Sequence, residues 1–162
     1  CLMAFGAMYQ DLWINKRAFD HFERAVAICA DARNPSGEVG CVRAMGELNF
    51  RRGDAPAAIK CLEEAVSIAR RAGLAAEETE CLMSIGEVHY AQGDSLQTKA
   101  HYDRACKISK EQLDPIGEAR GLAGLARAQL SLGECLVAID TLMESMNMRK
   151  TLGDVAGQAE GL

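Results

Sequence analysis

Apolar positions recur along the chain at spacings of three and four, as in Leu82, Ile85 and Val88, or Ile59, Leu62, Val66 and Ala69. That spacing places them on one face of an α-helix, whereas a strand would alternate every second residue. The apolar runs are interrupted at regular points. Gly53-Asp54-Ala55-Pro56 sets a helix-ending glycine directly before an Asp N-cap and an early proline, and Gly93-Asp94 and Gly133-Glu134 repeat the turn. Asn34-Pro35 and Asp114-Pro115 mark the alternate junctions with an N-cap and a proline at the first helical position. The pattern predicts one set of helices, termed A, over 36–52, 75–92 and 115–132, and a second set, B, over 15–33, 55–73, 95–112 and 135–152, with a partial A helix at each end.

A shift of forty residues superimposes the sequence on itself without a gap: Cys1, Cys41 and Cys81; Gly6, Gly46 and Gly86; Ala25, Ala65 and Ala105; Ile28, Ile68 and Ile108. The fourth copy follows more loosely through Leu122, Leu125, Ala138, Leu142 and Ser145. The chain is therefore expected to form one domain, 1–162, of four repeats (1–40, 41–80, 81–120 and 121–160) with a fifth beginning. A period of this length also occurs in propeller blades and HEAT repeats, and the small residues decide between them. Gly46 and Ala58, with Gly6, Ala18, Gly86 and Ala138, fall on the facing sides of helices A and B, where a missing side chain lets two helices approach.

Val42-x-x-Met45-Gly46-x-x-Asn49, Ala58-x-x-x-Leu62 and Ala65 resemble the tetratricopeptide pattern of Trp-x-x-Leu-Gly-x-x-Tyr, Ala-x-x-x-Phe and Ala. Leu2-x-x-Phe5-Gly6-x-x-Tyr9 with Ala18-x-x-x-Phe22 is nearer still. The resemblance covers the whole chain and implies an all-α, right-handed α-solenoid of antiparallel helix pairs. Six residues beyond the usual 34 of that repeat are similar to the subfamily of the spindle-orientation adaptors of the Pins type and rapsyn. Trp13, Lys99 and Ala126 depart from the pattern. The asparagines with which those adaptors hold ligands are replaced by Ala44 and Glu47, Ser84 and Glu87, and Gly124 and Arg127, so their contacts do not transfer. The Lys, Asn and Arg set of chaperone-binding repeats is missing too.

Composition narrows the function. The 162 residues carry 18 Lys and Arg against 23 Asp and Glu, a net charge of -5, which argues against a nucleic-acid partner. No apolar run is long enough to predict membrane insertion. Seven cysteines without a Cys-x-x-Cys pair predict neither a disulfide framework nor a metal site, and a cytoplasmic setting, compatible with cytoskeletal association, is the expectation. Cys1, Cys41 and Cys81 read as small core residues. Cys1 at the start, with Gly161-Leu162 at the end, leads us to expect a portion of a longer chain.

In a tetratricopeptide solenoid the A helices line the concave surface. The A-helix face turned away from helix B carries Met3 in the first copy, Arg43, Glu47 and Phe50 in the second, Met83, Glu87 and Tyr90 in the third, and Arg120, Arg127 and Leu130 in the fourth. Apolar anchors with flanking charges suit a partner protein that offers a peptide or helix with apolar and basic side chains. With no nucleophile elbow, phosphate loop or paired acid–base constellation in the sequence, the expectation is a scaffold or adaptor without enzymatic activity or cofactor. The alternative is a structural subunit of a larger cytoskeletal or ciliary complex. His89 is expected to pack in the interior, and His21 and His101 occupy one repeat position without a metal-binding partner.

Overall fold

A computed structural model describes residues 15–153 of the chain. Among them are seven helices and no strand: α1 (Asn15–Asp31), α2 (Pro35–Arg51), α3 (Ala55–Ala72), α4 (Ala75–Ala91), α5 (Ser95–Glu111), α6 (Pro115–Ser131) and α7 (Cys135–Thr151). The fold is an all-α helical repeat, and every helix end lies within two residues of the boundary expected from the sequence. Both partial A helices, with Met3, Trp13 and Cys1, lie outside the described residues. The chain forms two compact units that meet in sequence at Cys81 and Leu82.

The six turns are built alike. Each has one residue in the left-handed region, and the amide after it reaches back to the carbonyl five residues earlier: Asn34 to Cys29, Asp54 to Asn49, Leu74 to Ala69, Asp94 to His89, Asp114 to Ser109 and Glu134 to Gln129, at 2.8–3.0 Å. This closing bond satisfies a carbonyl that the helix end would leave unpaired. In four turns the same residue also opens the next helix. Asn34, Asp54, Asp94 and Asp114 each accept a hydrogen bond from the amide three residues on, at 3.0–3.1 Å. Glu134 makes no such cap and instead holds Lys99 at 2.5 and 2.7 Å, which accounts for a lysine at an otherwise apolar repeat position.

Within the first unit, Ala18 and Phe22 of α1 pack with Leu48 of α2, bordered by Phe19, Ala44 and Met45. A Cβ on Gly46 would stand 2.7 Å from Leu62 Cγ, so α2 and α3 meet closely at the glycine the sequence singles out. Within the second unit, Leu82, Ile85 and Val88 of α4, Tyr102 and Ala105 of α5, and Leu122 and Leu125 of α6 are buried. Ser145 of α7 donates to the Ala119 carbonyl at 2.7 Å, tying α7 to α6. Ile28 departs from its repeat equivalents: it is exposed, whereas Ile68 is buried.

Left-handed backbone is furnished by glycine at Gly53, Gly73, Gly93 and Gly133, but by Arg33 (φ 51°) and Leu113 (φ 55°) at the other two turns. A side chain in this region crowds the following carbonyl, at a cost of about 1–2 kcal/mol. Leu113 is 88% exposed and has little packing to lose. Leu113→Gly should therefore stabilise the chain by about 0.5–1 kcal/mol, once the greater freedom of glycine in the unfolded chain is subtracted. Urea unfolding checks it; an unchanged or lower midpoint would show that the turn is not strained.

Candidate functional site

The second unit contains the more elaborate part of the predicted face, and its geometry begins with a buried tyrosine. Tyr102 on α5 is 3% exposed, and its ring lies between two glycines. A Cβ on Gly86 of α4 would come within 2.8 Å of Cε2, and one on Gly124 of α6 would overlap the opposite edge, 2.5 Å from Cδ1. The ring fills space that side chains would otherwise occupy, and its hydroxyl emerges at the candidate face. There it donates to Glu87 Oε1 at 2.5 Å and accepts from Arg127 Nη2 at 3.1 Å. Arg127 also donates to Glu87 Oε1, so the three groups form a closed network.

Arg127 completes a second contact, its guanidinium carbon lying 4.9 Å from the centroid of the Tyr90 ring. Ion pair and stacking together fix a side chain that otherwise has many rotamers, although at half-exposed positions each contributes only about 1 kcal/mol or less. Leu130, one turn beyond Arg127 on α6, is 51% exposed, and Tyr90 is exposed as well. The result is a small ordered platform of aromatic ring, guanidinium and aliphatic side chain. Arg120 lies exposed on the same helix.

Two features of the predicted face are revised by these positions. Met83 is 6% exposed, and its Cε approaches to 3.5 Å the place a Cβ on Gly121 would take; the absence of a side chain on α6 draws the methionine inward. It is a packing residue of the second unit and not part of the exposed face. Glu87, expected to await a basic ligand, is already matched by Arg127 and Tyr102. In the first unit Glu47 is likewise held by Arg43 at 2.7 Å, one turn away on α2, with Phe50 half-buried beyond it. Met3 is outside the described residues.

The sequence pattern alone did not single out Tyr102 and did not pair the histidines. His89 and His101 stack with centroids 5.4 Å apart and planes 11° from parallel, both half-buried. The equivalent positions one repeat earlier are also in contact, Asn49 Nδ2 donating to Cys61 Sγ at 3.6 Å. A signal was available: residues twelve apart across an A–B turn face each other. No cluster of three or more metal-ligating side chains occurs among the described residues, and no described helix is long and apolar enough to cross a membrane.

Residues 38–111 match the tetratricopeptide repeat family. That match runs from the start of α2 to the end of α5 and stops short of Tyr102's second glycine neighbour on α6. No curated protein matches the sequence. Among solved structures, aspartyl phosphate phosphatase F from Bacillus subtilis superimposes with a TM-score of 0.90 at 17% identity, covering 99% of this chain and 42% of that one. A putative kinesin light chain from Podosopora anserina with nearly identical TPR-like repeats gives 0.73 at 17% identity, covering 93% and 74%. The Rap conjugation gene regulator of plasmid pLS20, in complex with the Phr peptide, gives 0.80 at 16%, covering 99% and 44%. At such identities the likeness shows the tetratricopeptide-like fold, and the chain spans less than half the length of the first and third of these proteins.

The Tyr102 network makes a prediction about pH. Burial foremost, and the hydrogen bond to Glu87 next, push the phenol well above its ordinary value of 10.0. Since folding raises this pKa, the associated stability is whole below pH 10 and is lost as pH climbs toward the folded value. Tyr102→Phe should lower the melting temperature at pH 7, by removing a buried hydrogen bond worth about 1–2 kcal/mol. It should also flatten the fall in melting temperature above pH 10 relative to the parent chain. Buried thiols contribute to that fall in both proteins, so the difference between the two isolates the phenol. Parallel curves above pH 10 would contradict the assignment.

Proposed function

We propose that the chain is a non-catalytic protein-interaction scaffold that receives a peptide or helix of a partner protein on the A-helix face, acting in the cytoplasm. The observation that carries this reading is the platform of Tyr90, Arg127 and Leu130, whose parts are held in place by Glu87 and Tyr102 while remaining open to solvent. Ordered aromatic and arginine side chains lose little freedom on binding and dominate the energetics of many interfaces. The peptide carried by the pLS20 Rap regulator, on a fold of the same kind, is in keeping with such a use.

The ligand in this reading offers an apolar side chain to Tyr90 and Leu130 and a hydrogen-bond acceptor to Arg127. Because Glu47 and Glu87 are matched internally, a basic side chain gains less here than their sequence positions alone suggest. A second reading, a structural subunit packed through its B helices, draws on Leu136, Ile139 and Met143, which stand exposed on α7. The subfamily likeness to Pins-type adaptors and rapsyn is compatible with either.

Selection of a displayed random peptide library on the chain separates the two. Selected peptides should lose about 2 kcal/mol or more of affinity, roughly thirtyfold, on Tyr90→Ala combined with Leu130→Ala, with helical content unchanged by circular dichroism. Glu63→Lys with Arg71→Glu, on exposed positions of α3, should leave affinity alone. Peptides that bind the Tyr90 and Leu130 double variant undiminished, but fail on Leu136→Glu with Met143→Glu, would replace the scaffold reading by the structural one.

A further inference from the structure

Two cysteines of the first unit, Cys29 and Cys41, lie on the adjoining helices α1 and α2. Cys29 stands near the end of α1, and its Sγ reaches toward α2 into the space left by Gly37: a Cβ on that glycine would lie 2.8 Å from the sulfur. Cys41 follows Gly37 by one helical turn. Residues so spaced have Cβ atoms about 5–6 Å apart, and helical side chains tilt toward the N-terminus, which points the Cys41 thiol back at the same space. Cys29 stands near enough to Cys41 to add to the effect of burial in raising that thiol's pKa. Both are free thiols, Cys29 half-exposed and Cys41 without solvent exposure.

The repeat supplies its own comparison. In the second unit the slot beside Gly117 receives Ser109, the equivalent of Cys29, with its Oγ 2.7 Å from the place of a Cβ, and the position of Cys41 is taken by Gly121. A thiol pair at this junction therefore arises where α1 meets α2 and not where α5 meets α6. The pair spans the turn at Arg33, so a covalent link would fix the angle between α1 and α2.

We propose that Cys29 and Cys41 form an oxidisable dithiol, converted by a peroxide into a disulfide that joins α1 to α2. Solvent access makes Cys29 the residue that meets the oxidant. Its thiolate sulfur attacks one peroxide oxygen, the O–O bond breaks, and hydroxide leaves and takes up the proton that the thiol had released. The sulfur of Cys41 then attacks the Cys29 sulfenic acid, the S–O bond breaks, and the oxygen departs as water with the Cys41 proton. Two thiols lose two electrons and two protons in total, and one peroxide becomes two waters. The order of events agrees with burial, which pushes the Cys41 thiol up to about 11 and leaves it the resolving partner.

Trypsin separates the two residues cleanly, Cys29 falling in peptide 25–33 and Cys41 in peptide 34–43, each with a single cysteine. The full chain is treated with hydrogen peroxide under native conditions, alkylated with N-ethylmaleimide after denaturation in acid, digested without reductant and analysed by mass spectrometry. The expected product is 25–33 linked to 34–43, two hydrogens lighter than the separate peptides. It should form about tenfold or more faster than in the chain unfolded in guanidinium, because folding holds both thiols beside Gly37. It should vanish in Cys29→Ser, a change that Ser109 shows the slot accepts, and persist in Cys135→Ala. Recovery of 34–43 alkylated while 25–33 carries a sulfinic acid or is joined to another cysteine peptide would overturn the proposal. So would equal rates of linkage in folded and unfolded chains.

Discussion

Two helices come closest where a side chain is small or missing, and the repeat depends on small residues recurring at the facing positions of most of its copies. Ala18, Ala58 and Ala138 lie in the first turns of their B helices at effectively zero exposure, and Gly46 of α2 and Gly86 of α4 oppose large side chains from α3 and α5. The space released by a glycine is taken by an atom from the neighbouring helix, Leu62 in one unit and Tyr102 in the other. Close packing gives each contact its weight, since an interior packed to crystal density yields little to an added methyl group. Because Tyr102 is longer than Leu62, the same contact delivers a hydroxyl to the surface. A packing solution thus places the polar group that organises Glu87 and Arg127.

Turn chemistry carries this arrangement from one helix to the next. An Asn or Asp that accepts the third amide of a new helix also donates its own amide to the old one, so that helix end and helix start share a residue. Little slack remains in a connection of two or three residues. The register of one helix on the next is consequently fixed by local bonds as well as by the core, and side chains forty residues apart, such as Glu87 and Arg127, meet reproducibly within the second unit.

The helices, their ends and their turns were legible in the sequence because each is governed by neighbours: apolar spacing, a capping side chain, a glycine or proline at a fixed offset. The candidate face was legible as a set of positions, since a period of forty carries Phe50 to Tyr90 to Leu130. What those positions do to one another was not. Met83 turns inward because Gly121, thirty-eight residues later, leaves room for it, and Glu87 is matched by an arginine whose sequence position is equivalent to its own. The stacked histidines and the Cys29–Cys41 pair share that origin. Each contact depends on the distance between helix axes, a quantity that side-chain volume on both helices decides jointly and that no single window of sequence contains.

The claim that missing side chains set the helix spacing, and through Tyr102 the candidate face, is tested most directly by a double-mutant cycle between Gly124→Ala and Tyr102→Leu, read by urea unfolding. Alanine in place of glycine should favour the helix itself by about 1 kcal/mol. Against the Tyr102 ring it should nevertheless destabilise the chain by about 1–2 kcal/mol net, an overpacking cost. With leucine at 102 the ring is gone, and Gly124→Ala should become neutral or stabilising, giving a coupling of about 1.5 kcal/mol or more. An identical effect of Gly124→Ala in both backgrounds would mean that the ring and the glycine do not share the space, and the account would fail.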